Sequence, residues 1–312
     1  MVRAVLLCPG QGAQKVGMGK DLAAAFPAAR EVFRAVDDAL GVALSKLMWD
    51  GPEDELTLTH NAQPAILTHS LAVWAVVQPA LDPVAGAGHS LGEYSAYVAA
   101  GALSTTAAAR LVRRRGELML EAGQARPGSM AAVIGLEAGQ VSDACAEASG
   151  GHEVVVAANL NAPDQAVISG DPGAVERAGK RLKESGAKRV LPLKVSGAFH
   201  SPLMEPAAEG LRAELEQVDF ADPAFPVIAN ASAEPVRDAA AARSLLGEQL
   251  TAPVRWVESM QRAAAEAGND VTFVEVGPGA VLSGLLRRIV RNAQSVALGT
   301  ADQLNAFMEQ HA

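Results

Sequence analysis

The pentapeptide Gly88-His89-Ser90-Leu91-Gly92 fits the pattern G-x-S-x-G, in which a serine on a sharp strand-to-helix turn is presented as a nucleophile. Its surroundings suit that reading: VAGAG at 84–88 has the composition of a buried strand, and the residues beyond Gly92 that of a helix. Glycines two positions either side of the serine let a strained turn fold back closely. The helix beyond it turns free N–H groups and a positive dipole end toward the serine oxygen, where an oxyanion develops. In a chain with 29 glycines the bare pattern also arises by chance, as a turn with a capping serine. The flanking strand and helix favour the nucleophile.

A serine hydroxyl attacks only when a base takes its proton, and the chain has 6 histidines. His89 adjoins the serine and is expected to point away from its hydroxyl. His60 and His69 share one helix, His152 opens a strand, and His311 lies in the C-terminal tail. His200 remains, within Gly197-Ala198-Phe199-His200-Ser201-Pro202; by spacing alone it reads equally as the base or as a packed, helix-capping histidine. The loop Gly10-Gln11-Gly12-Ala13-Gln14 follows an apolar run and can offer main-chain N–H groups, at Gln11 above all, to an oxyanion. It is no dinucleotide fingerprint, because the last glycine of G-x-G-x-x-G falls on Lys15. No His, Cys or carboxylate pair has a ligand spacing, so no metal is expected.

The elements that must hold these residues alternate. VRAVLLC at 2–8 reads as a buried strand stopped by Pro9 and Gly10; helical periodicity runs over 21–40; Asn61 reads as the N-cap of the next helix, with Pro64 in its first turn. Ser104 caps a long helix that carries Arg115, which on spacing alone is a surface arginine. Over 128–195 the order becomes βαββαβ, with strands MAAVIGL, EVVVAAN, QAVIS and RVLPLKV, the split motif of ferredoxin-like units. Alternation then resumes, with strand VTFVEV, the turn at 277–279 and a helix from Ala280. The expected fold is therefore α/β, with a larger parallel-sheet subdomain formed by 1–127 and 196–312 and a smaller ferredoxin-like one inserted between them.

With 312 residues, 49% hydrophobic and 20% charged, the chain has the profile of a globular enzyme. A net charge of -9 excludes a general nucleic-acid binder, and no apolar stretch reaches the roughly 20 residues of a membrane span. The N-terminal apolar run is too short for a signal peptide. Cys8 and Cys145 lie far apart and are expected to be reduced and buried, which makes a cytoplasmic setting the default.

Beyond single motifs, GQGAQ at 10–14, NAQPAI at 61–66, GHSLGEYSA at 88–96, RRGELM at 114–119, NAPDQAVISG at 161–170, GAFHSPLM at 197–204 and EVGPG at 275–279 occur in this order. Together they resemble the malonyl-CoA:acyl carrier protein transacylases of bacterial fatty-acid synthesis over nearly the whole chain. The resemblance implies an α/β-hydrolase-like large subdomain and a site in the cleft beside the inserted one. It implies Ser90 as the acylated serine and His200 as its base, with the main-chain N–H groups of Gln11 and Leu91 as the oxyanion hole. Arg115 would hold the malonyl carboxylate, and the Gln249 carbonyl would orient His200. Gln63 and Asn161 are expected to line the site, and Phe199 to exclude branched acyl groups. The substrates implied are malonyl-CoA and a phosphopantetheinylated acyl carrier protein, with no tightly bound cofactor and a monomeric enzyme.

Two other readings stay open at this stage. A polyketide carrier protein could be the acceptor, because the chemistry is the same. A serine thioesterase shares the elbow but places its histidine near the C-terminus, where this chain has His311.

Overall fold

The computed structural model describes residues 1–311. The chain opens with strand β1 (Val2–Cys8), whose seven residues are β-branched or apolar apart from Arg3, and reaches β2 (Leu81–Gly88) after a run of helices. A second set follows: β3 (Ser129–Ile134), β4 (Val155–Ala162), β5 (Gln165–Gly170) and β6 (Arg189–Pro192). The chain then supplies β7 (Val227–Ile228), β8 (Pro235–Val236), β9 (Thr272–Val276) and β10 (Gln294–Leu298).

These strands make two sheets, in the orders β10-β9-β1-β2-β7-β8 and β4-β5-β3-β6. In the first, β1 runs parallel to β2 and β9, β9 to β10, and β2 to β7, while β8 is antiparallel to β7. Helices cover both faces. On β1, Ala4, Leu6 and Cys8 enter one core and Val5 and Leu7 the other, as the two-residue period of a strand demands. The second sheet is antiparallel throughout, and its strand order is that of the ferredoxin-like βαββαβ unit expected over 128–195. Its Ala131 and Val133 pack with helices Ala138–Ala148 and Pro172–Glu184, whereas Met130 and Val167 join the large core. Leu160 N–H to Val254 O (2.9 Å) and Val254 N–H to Ala158 O (2.8 Å) tie this sheet to the rest.

Local chemistry corrects some boundaries. The helix expected over 21–40 is two, Lys20–Ala25 and Pro27–Leu40. Pro27 has no N–H to continue the first and biases Phe26 to its observed extended backbone. Asn61 is not an N-cap: helix Thr59–Val77 starts earlier, puts Pro64 inside, and leaves the Asn61 side chain donating to Glu55 O (2.9 Å). Ser104 does cap helix Thr105–Ala125, its hydroxyl accepting Ala107 N–H at 3.2 Å. Among the described residues no helix is long and apolar enough to cross a membrane.

Candidate active site

The site gathers at the carboxyl ends of the parallel strands, where open α/β sheets bind ligands. Ser90 stands two residues beyond β2, with φ 52°. That left-handed conformation is costly for a residue with a side chain and is held by its surroundings. The turn closes so tightly that a Cβ on Gly88 would lie 1.9 Å from the Gly92 carbonyl carbon. Asn230 clamps it: the Ser90 N–H donates to Asn230 Oδ1 (2.6 Å), and Asn230 Nδ2 donates to Gly88 O (2.7 Å). His200 is left-handed too, with φ 56°.

The two meet. Ser90 Oγ lies 2.8 Å from His200 Nε2, while His200 Nδ1 faces the carbonyls of Gln249 (3.0 Å) and Ala252 (3.2 Å). A nitrogen between two carbonyls must carry the ring proton, so Nε2 is the free acceptor and the serine O–H donates to it. Burial, then the Arg115 charge, push the His200 imidazolium down to about 3. The ring is therefore neutral near pH 7, with Nε2 unprotonated and able to accept the serine proton. No carboxylate stands behind it; its orientation is set by main chain alone.

Arg115 is not on the surface: it is 1% exposed, on helix Thr105–Ala125. The next residue explains the placement, since a Cβ on Gly116 would lie 2.5 Å from His60 Cα, and its absence lets this helix close on Thr59–Val77. Arg115 Nη2 donates to Ser90 Oγ (3.0 Å) and Gln249 Oε1 (2.8 Å), and Nη1 to Gln63 Oε1 (2.6 Å). Burial lowers the pKa of this guanidinium, with Tyr94 and Glu93 opposing, but an arginine keeps its proton in proteins. A fixed cation thus sits in the wall of the cleft, beside the serine oxygen.

The cleft in front measures about 770 Å³ and is walled by Gln11, Leu91, Asn161 and Phe199 as well as Ser90, Arg115 and His200. The main-chain N–H groups of Gln11 and Leu91 make no hydrogen bond among the described residues. His89 points away from the serine, as expected, and meets Asn161 Oδ1 at 2.8 Å. Gln63 departs from expectation: it is fully buried behind Arg115 and does not face the cleft. Sequence reasoning missed Asn230 and Glu93. Glu93 follows the elbow by three residues, and its buried carboxylate joins Asn230 to Gln249; a carboxylate in so apolar a helix start was the signal available.

An activated serine paired with a neutral histidine, set against a buried cation on this two-sheet frame, defines the acyl-transferring enzymes. The acyl transferase domain family matches residues 5–305. The malonyl CoA-acyl carrier protein transacylase of Bacillus subtilis is 46% identical over 310 residues, 99% of this chain and 97% of that protein. That of Salmonella typhimurium is 44% identical over 312 residues, 99% of this chain and 100% of the relative. An acyl carrier protein S-malonyltransferase from Vibrio cholerae superposes with a TM-score of 0.93 at 43% identity, covering 98% of this chain and 99% of its own. A malonyl-transacylase solved in complex with a type II PKS acyl-carrier protein gives 0.93 at 42%, covering 99% and 100%. The chain belongs to the malonyl CoA-acyl carrier protein transacylase family of acyltransferases.

Proposed function

We propose that the protein moves the malonyl group from malonyl-CoA to the phosphopantetheine thiol of an acyl carrier protein, through a malonyl ester on Ser90. The observation that carries the reading is the sharing of one serine oxygen by a base and a cation, His200 Nε2 at 2.8 Å and Arg115 Nη2 at 3.0 Å. Ser90 Oγ attacks the thioester carbon as His200 takes its proton, and the carbonyl oxygen gains the electron pair, held by the N–H groups of Gln11 and Leu91. The intermediate collapses, the C–S bond breaks, and the CoA sulfur leaves with the proton from His200. The carrier thiol then gives its proton to His200 and attacks the ester carbonyl, and Ser90 recovers its hydrogen. This is ping-pong chemistry with no resident cofactor. Arg115 pairs with the free malonyl carboxylate, a contact that an acetyl group lacks. The Phe199 ring beside the base leaves little room for a branch on the acyl group.

The same reading assigns the chemistry to a large subdomain, 1–127 with 196–312, and the far wall of the cleft to a small one, 128–195. The buried thiols of Cys8 and Cys145 suit a reducing cytoplasm. A hydrolase is disfavoured because His200 Nδ1 faces carbonyls and not an acid. A PKS carrier as acceptor is a second reading, favoured by the complex of the structural neighbour. Intact-protein mass spectrometry after brief mixing with malonyl-CoA, followed by holo carrier protein of either kind, is the test. A malonyl adduct that needs Ser90 and moves to the carrier is expected; an adduct lost to water alone returns the protein to the hydrolases.

A further inference from the structure

The chemistry above gives Glu93 no step, yet its carboxylate is fully buried directly behind the site. Oε2 accepts the Asn230 main-chain N–H (3.0 Å) and Gln249 Nε2 (2.7 Å), while Oε1 has no hydrogen-bond partner among the described residues. Gln249 is the pivot. Its Nε2 also donates to Ser90 O (3.1 Å), its Oε1 accepts from Arg115, and its main-chain carbonyl accepts from His200.

An amide can be turned end for end with little change in shape, so its orientation follows from its neighbours. Here the flipped amide would set its NH2 against the donors of Arg115 and its oxygen against both Ser90 O and Glu93 Oε2. The same Glu93 oxygen steadies Asn230, which clamps the serine turn. One acceptor atom therefore stands behind the support of the nucleophile and that of the cation.

We propose that Glu93 is a positioning residue for acyl selection: by accepting from the Gln249 amide it fixes the orientation that aims the Arg115 fork at a carboxylate on the acyl group. This rests on the reading of Ser90 and Arg115 given above. The acceptor matters, and the charge does not. Burial raises the Glu93 carboxyl to about 7, but a proton would settle on Oε1, because Oε2 already takes two N–H groups. Oε2 accepts in either state. A glutamine can present its carbonyl oxygen at the same place; a methionine, of similar length, cannot.

The experiment compares wild type, Glu93→Gln and Glu93→Met, measuring initial rates of malonyl and acetyl adduct formation on Ser90 by intact mass spectrometry, with thermal melting as the check on folding. Glu93→Gln is expected to keep the malonyl-to-acetyl ratio within about twofold, and Glu93→Met to lower it about tenfold, short of the roughly 100-fold that a 1 Å misplacement can cost. An unchanged ratio in a folded Glu93→Met overturns the proposal, and so does a Glu93→Gln that loses the ratio, since charge would then be the cause. Should Glu93→Met fail to fold, Gln249→Leu, which removes the amide that Glu93 orients, takes its place: a lowered ratio is expected, and an unchanged one overturns the proposal. A wild type that forms no malonyl adduct overturns the underlying reading and this one with it.

Discussion

The two sheets contribute to the site in different ways. The large parallel sheet and its helices hold the serine, the histidine and the cation, and the site's two left-handed residues, Ser90 and His200, both belong to that part. The small antiparallel sheet offers the cleft a wall that is half apolar, from Met130, Ala132 and Val167, and half polar, from Asn159, Asn161 and Gln165. Strain, a buried charge and a desolvated base are gathered where parallel strands end and many elements converge to restrain them. The inserted sheet keeps its own core and is tied to the rest by few main-chain bonds near Val254. Chemistry therefore resides in one part, and the shape available to the pantetheine arm is set between the two.

The sharpest way to break this division is to remove the reacting atoms. Ser90→Ala should form no malonyl adduct, and His200→Ala should slow adduct formation by about 100- to 10,000-fold, the usual contribution of a positioned base. Rapid-quench mass spectrometry reads both. An Asn161→Ala change, on the small sheet, should leave the adduct rate within about tenfold of wild type, because it touches His89 and not the reacting pair. A loss as large as that of His200→Ala would mean that the insert takes part in the chemistry.

Much of the large part was legible before any coordinates. Gly-x-Ser-x-Gly states its own geometry, because Gly88 packs against Gly92 and Gly92 against the main chain of Cys8, so neither position tolerates a side chain, and the strand and helix around it have clear periods. The βαββαβ order of the insert was equally readable, each strand being a short apolar run between turn residues. His200 as partner of Ser90 came from the family resemblance alone: 110 residues separate them, and a periodic pattern carries no information about which loops meet. The burial of Arg115 was not readable, because a helix sequence rich in arginines looks the same whether one of them faces water or a cavity. The strands β7 and β8, of 2 residues each, are too short to show alternation. Asn230, which follows β7, was hidden with them.

Arg115 provides the next test by size. Replacing it with alanine removes a charge-assisted contact worth roughly 1.5–3 kcal/mol, or about 10- to 100-fold in the malonyl adduct rate. The acetyl rate should change far less. Competition between the two CoA esters, read by adduct mass, separates them; an equal loss for both would place the cation in general stabilisation of the serine. The histidine makes a prediction in pH. With the folded imidazole pushed down to about 3 against an ordinary 6.5, the neutral base persists as pH falls from 8 to 5. The unfolded chain takes up this proton first, so burial of His200 costs stability below about pH 6.5 and not above it. Nitrogen NMR of the ring should show the neutral form at pH 5; a midpoint near 6.5 would mean that water reaches the site.

The smallest effect concerns how an acidic carrier protein docks on a chain whose own net charge is -9. Long-range attraction needs a local basic patch. Two basic clusters are candidates, Lys180 with Arg181 and Lys183, and Arg287 with Arg288 and Arg291, and the structure treats them differently. Lys180 pairs with Glu176 and Arg181 with Glu147, so that patch is largely neutralised within itself. Arg287 and Arg291 make no ion pair among the described residues, and their neighbour Arg288 bonds to Asp164 and to Gln165, which lines the cleft. Free positive charge thus lies beside the route into the site in one case and away from it in the other. Arg287→Glu with Arg291→Glu should raise the KM for the carrier by about 3- to 10-fold at low salt, and less as salt is added. The rate of Ser90 acylation by malonyl-CoA, a step in which the carrier takes no part, should stay as it was. Lys180→Glu is the control and should change neither; if it raises the carrier KM while the Arg287 pair does not, the carrier approaches over the helices of the insert.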